Sequence, residues 1–152
     1  MRRVLVFAVS LFALAACGPH VSKHADGSTT FKGNDGTTVT VNDGAGQQPP
    51  SHLPAYLKAF PGATIKSTID TGKSGGMMTL ETSAAPDAVV DFYKAEAKAA
   101  GLEVQMDMNN EGNHAVLFAE PKGSTGKRNF NISASKNPDG KTQALVMFNE
   151  QA

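Results

Sequence analysis

A chain of 152 residues carrying 14 basic and 14 acidic side chains, with 40% hydrophobic residues, holds enough apolar material for one domain and offers no clustered cationic face for nucleic acid. Its single cysteine, Cys17, excludes an intramolecular disulfide. No apolar run reaches the roughly 18 residues at which a membrane-spanning helix is considered.

In chain order, Arg2 and Arg3 precede an apolar run from Val4 to Ala16, the basic start and short core of a secretory signal. Leu14-Ala15-Ala16-Cys17 then resembles the lipobox of bacterial lipoproteins. The resemblance implies cleavage between Ala16 and Cys17, a diacylglyceryl group on the Cys17 thiol and acylation of the new amino terminus. Several chains together anchor firmly where one binds only reversibly. Gly18, rather than aspartate, follows the cysteine, which in that class implies the outer membrane, periplasmic face. The mature chain would keep 136 residues, with 12 basic against 14 acidic.

Residues 17–27 are expected to form the anchor and a polar tether. Over 28–42, Thr29, Thr30, Phe31, Thr38, Val39 and Val41 favour extended chain around Asp35-Gly36, predicting a small β-hairpin. Residues 43–52, with Gly44, Gly46, Pro49 and Pro50, compose a linker, and a domain is expected over 53–150. Leu53 to Phe60 suggests a short helical turn closed by Pro61-Gly62.

The spacing of Val89, Phe92, Tyr93, Ala97 and Ala100 predicts a helix over 86–100, started by Pro86 and Asp87 and ended by Gly101. Strands are expected over 63–69, 77–82, 102–108, 114–120, 128–135 and 142–149, separated by turns such as Asn137-Pro138-Asp139-Gly140. Alternation places Leu102, Val104, Met106 and Met108 on one face, and likewise Phe130, Ile132 and Ala134. The fold class is therefore α+β: an antiparallel sheet of about six strands with one helix packed on one face, plus the N-terminal hairpin. Phe60-Pro61-Gly62-Ala63, Val89 to Lys94 and Ala99-Ala100-Gly101-Leu102 also resemble a group of small envelope lipoproteins of uncharacterised function, a likeness that bears on fold and compartment alone.

Several patterns imitate catalytic chemistry. Asp70-Thr71-Gly72 has the triplet of aspartic proteases, but Lys73 follows it, no second triplet exists, and a cation beside a carboxylate pair opposes the shared proton. An ordinary turn accounts for it. Gly72-Lys73-Ser74 lacks the glycine that a phosphate loop requires five residues earlier, where Ser67 stands. Gly33-Asn34-Asp35-Gly36 is one copy of a pattern that binds calcium only between stacked copies. His20, His24, His52 and His114 form no zinc spacing. Met77, Met78, Met106, Met108 and Met147 suit either a core or an adaptable binding surface.

The chain therefore reads as a lipid-anchored envelope protein that is not an enzyme and uses no cofactor or metal. Its membrane contact runs through Cys17, and its role is that of an accessory with an envelope protein partner. The alternative is a binding module holding a small apolar or lipidic ligand between helix and sheet, on a methionine-rich face.

Overall fold

The computed structural model describes residues 20–33, 37–72, 75–124 and 127–151. Alternating β-branched and polar residues between turn clusters produce nine strands among the described residues: β1 (His20–Lys23), β2 (Thr29–Lys32), β3 (Thr38–Asp43), β4 (Thr64–Asp70), β5 (Gly75–Thr82), β6 (Glu103–Asn110), β7 (Asn113–Ala119), β8 (Lys127–Lys136) and β9 (Thr142–Gln151). They form one sheet in the order β1-β2-β3-β4-β5-β9-β8-β7-β6, with antiparallel neighbours. One helix, α1 (Pro86–Ala99), joins β5 to the far edge strand β6.

The architecture is α+β with one helix, but the sheet has nine strands rather than about six with a hairpin apart. The hairpin continues the sheet because β3 pairs with β4, Val41 opposite Ile69. A further strand, β1, lies in the stretch expected as tether. Asp26 makes it: its Oδ1 accepts from the backbone N–H and the hydroxyl of Ser28, at 2.9 and 2.7 Å, folding the chain back so that Val21 opposes Phe31. These bonds hold the Asp26 carboxyl below its usual range. Gly44 and Gly46 in the expected linker donate to Lys66 and Ile65 carbonyls, fastening that segment to β4.

Helix α1 starts without a side-chain cap but with Pro86 in its first turn, where a missing N–H costs nothing. It ends in a left-handed glycine motif: Gly101 has φ +74°, Leu102 N–H donates to Ala97 O, and Gly101 N–H to Lys98 O. Val89, Val90, Tyr93 and Ala97 point into the sheet and are fully buried. They meet Phe118, Phe130, Ile132, Ala134, Val146, Met78 and Leu80, which form the core on the helix side. Tyr93 donates its hydroxyl to Lys58 O at 3.0 Å, and burial pushes that phenol's pKa up. This bond pins the 53–62 segment, which forms isolated turns rather than a helical turn, over the end of α1.

Gly75 and Gly76 let β5 enter between its neighbours. A Cβ on Gly75 would lie 2.3 Å from Phe148 O, and one on Gly76 2.6 Å from Ile69 O. Among the described residues the buried core lies at Leu57 or later, so β1, β2 and β3 are held by their ladders and contribute no buried hydrophobic residue to it.

Candidate functional site

The methionines divide between the two faces of the sheet. Met78 is buried under α1, whereas Met106, Met108 and Met147 are 49%, 52% and 41% exposed. The expected single face Leu102-Val104-Met106-Met108 is broken by a register shift between Val104 and Met106. Val104 opposes Phe118 on the helix side, but Met106 opposes Leu117 and Met108 opposes Ala115 on the open side. A bulge adds one residue to one strand and so turns every later side chain over. Sequence alternation cannot reveal it, because Gln105 carries no turn signal.

The result is a row of successive cross-strand partners on the helix-free face: Met106, Leu117, Asn131, Met147 and Met77. Two shallow depressions follow this row. One of about 150 Å³ lies among Met106, Met108, Ala115, Leu117 and Asn131, and the next, about 220 Å³, among Leu117, Asn129, Asn131, Met147 and Asn149. They share Leu117 and Asn131, forming one trough across four strands, about 14 Å long at the usual strand spacing. A third hollow of about 320 Å³ lies on the same face between Thr79, Ser133, Ser135, Gln143 and Leu145. The space between helix and sheet, by contrast, is occupied by the packed side chains of the core. The methionine-rich surface is therefore on the face opposite the helix, and no ligand space between helix and sheet is needed to explain it.

The side chain of Asn149 adds a polar feature to the trough. Its Oδ1 is buried and has no hydrogen-bond partner among the described residues, as is also true of Tyr56 Oη and Glu120 Oε2. The last two flank Arg128, which bonds Glu120 and lies 5.7 Å from the Tyr56 ring centre. Burial, then the Glu150 carboxylate, push the Tyr56 phenol up.

The sequence candidates for catalysis have structural employment. Asp70 is 6% exposed, and its carboxylate accepts from Ser51 Oγ (2.5 Å), His52 N–H (3.1 Å), His52 Nδ1 (3.0 Å) and Gly72 N–H (2.8 Å). Burial pushes this carboxyl up, but the bonds from Ser51, Gly72 and His52 outweigh it and hold the group below its usual range. Thr71 Oγ1 donates to Gly75 O at 2.6 Å, so the triplet closes the β4–β5 turn. Serine, histidine and aspartate do meet here, yet Ser51 lies 3.4 Å from the same His52 nitrogen that faces Asp70. A relay needs the hydroxyl on the other ring nitrogen. The adjoining cleft of about 440 Å³ is polar, lined by Asp26, Thr40, Asn42, Gln47 and Ser51 among others.

The histidines stand in separate places. His24 bonds Thr30 Oγ1, His52 bonds Asp70, and His114 bridges Asp87 Oδ1 (2.7 Å) and Asp107 Oδ1 (2.8 Å). Lys94 and then His114 hold the Asp107 carboxyl below its usual range. This bridge ties the start of α1 to β6 and β7. Among the described residues no three potential ligands group for a metal, and no helix is long and apolar enough to cross a membrane. Ala16, Cys17, Asn34 to Gly36, Lys73 and Ser74 lie outside the described residues.

A family model described as START domain-like matches residues 63–143, more than half of the chain. The chain belongs to the START domain-like family. The matched segment runs from the residue before β4 into β9 and contains α1, so it holds the helix, most of the core and most of the trough, while β1 to β3 lie before it. No curated protein and no solved structure matches the chain.

Proposed function

We propose that this START domain-like chain is a lipid-anchored binding module of the bacterial envelope that takes an apolar, lipid-like ligand on the open face of its sheet. The observation that carries the reading is the row Met106, Leu117, Met147 and Met77 left uncovered on the side away from α1. Polarizable, unbranched methionines adapt to apolar partners of varied shape, and START-like domains are typically binding modules. In this reading the protein catalyses no reaction. Acylated Cys17 keeps it at the periplasmic face of the outer membrane, within reach of lipids.

The test uses the Cys17→Ser chain without its signal segment and the uncharged fluorophore N-phenyl-1-naphthylamine. Saturable binding is expected, weakened about tenfold or more in a Met106→Gln, Met108→Gln, Met147→Gln variant, because each exchange removes part of an apolar contact area. The melting temperature should hold, since all three side chains are half exposed. Equal affinity in both proteins would end the reading.

A second reading, an envelope protein partner, is favoured by one observation. β6 is an edge strand with all eight residues exposed, and an uncovered edge accepts an added strand. Crosslinking in intact envelopes would then recover a stoichiometric protein joined through β6; crosslinks confined to other surfaces would dismiss it.

A further inference from the structure

We infer that the ligand of the open face is a neutral amphiphile, an alkyl chain ending in hydroxyl or amide groups, and that Asn129, Asn131 and Asn149 bind its head. This rests on the proposed binding function and narrows it to a chemical class. Met106, Met108 and Leu117 line the end of the trough toward β6, and the three asparagines lie on β8 and β9 around Met147, with Asn131 where the two depressions meet. Asn129 and Asn149 are direct cross-strand partners, and Asn131 follows on the next open-face position of β8. An amphiphile laid along the trough therefore places its chain on the methionines and its head on the amides.

Two further observations set the class. None of the side chains lining the trough or the adjoining hollow is charged. A carboxylate or phosphate head brought there would lose hydration without gaining a counter-charge, which is costly in a partly apolar setting. Second, Asn149 Oδ1 is a buried acceptor with no partner among the described residues. Such atoms are uncommon in folded proteins and cost stability until a donor reaches them. Once the Asn149 amide turns toward the trough that it lines, a hydroxyl or amide N–H supplies that donor, which an ionised carboxylate cannot, while the amide Nδ2 groups of the three asparagines donate to the ligand's oxygens.

The experiment compares monodecanoylglycerol with decanoate, which share an acyl chain and differ in the head, as displacers of N-phenyl-1-naphthylamine at about pH 8, where the carboxylate is ionised. The glyceride is expected to displace the probe about tenfold more effectively, the worth of one or two hydrogen bonds made to otherwise unpaired groups. An Asn131→Leu, Asn149→Leu variant should bring the two displacers, each scored against the variant's own probe affinity, to equal effectiveness, and its circular dichroism and melting transition show that it has folded. Equal displacement by the two compounds in the wild-type chain would overturn the inference while leaving the binding function standing. So would a preference that survives the double variant. Absence of saturable probe binding would instead remove both.

Discussion

Phe130→Ala is expected to lower the unfolding free energy by about 3–5 kcal/mol, the range for a large aromatic side chain removed from a packed interior. Phe130 is fully buried in β8 directly beneath α1. Its ring stacks on Phe118 at 4.6 Å between centroids and meets Tyr93 and Tyr56 edgewise or tilted at 6.3 Å each. Deleting it therefore opens a cavity bounded by β7, the helix and the 53–62 segment together. Those three elements cannot collapse into it at once, because Tyr93 is fixed to Lys58 O and the sheet ladder fixes Phe118. Urea denaturation of wild type and variant measures the loss, and heating should show a midpoint lowered by about 10–20 °C. A loss under about 1 kcal/mol would mean that the helix does not sit on β8 as described.

The parts of this core that sequence makes legible are those with a local period. Val89, Phe92, Tyr93 and Ala97 repeat at helical spacing, and Gly101 marks the end, so α1 is readable to within one residue. Phe130, Ile132 and Ala134 alternate, so the buried face of β8 is readable too. What escapes is set by interactions with no local period. The switch of Met106 and Met108 to the open face depends on a bulge, and with it goes the location of the candidate site. The joining of β3 to β4 depends on contacts between segments nearly thirty residues apart. A signal for β1 did exist: Asp26-Gly27-Ser28-Thr29 and Asp35-Gly36-Thr37-Thr38 repeat nearly the same sequence, and one such Asp-Gly signal predicts a strand on each side of it. The asparagines of the trough are the least visible, since an asparagine on an exposed strand position reads as surface until its neighbours are known.

Asp70→Ala is the second large expected effect, about 2–4 kcal/mol at neutral pH, although Asp70 lies in neither the trough nor the helix interface. The carboxylate, at the end of β4, is an acceptor shared by two other stretches of chain, the Ser51-His52 turn and the Gly72 turn. Alanine removes the charged acceptor of the Ser51 hydroxyl and of two backbone N–H groups; Ser51 and His52 are exposed, so water replaces part of what is lost, and hydrogen bonds to a charged group contribute about 1.5–3 kcal/mol each. The sign of the pH dependence follows from the direction of the shift. Asp70 is held below its ordinary range in the folded chain, so its contribution is fully present above the unfolded carboxyl pKa of about 3.9 and is lost as pH falls through the lower folded value. Wild type and variant should therefore differ most near neutrality and converge in acid, as protonation of Asp70 takes from the wild type what the substitution has already removed. Unfolding midpoints in urea from about pH 7 down to about pH 3 would show it. A gap that stays constant over that range would assign the loss to packing instead of the charge. The same argument separates fold from function at this triplet: Asp70→Ala weakens the platform that carries β4 and β5, while the trough, built from β6 to β9, should bind the neutral probe unchanged in whatever fraction remains folded.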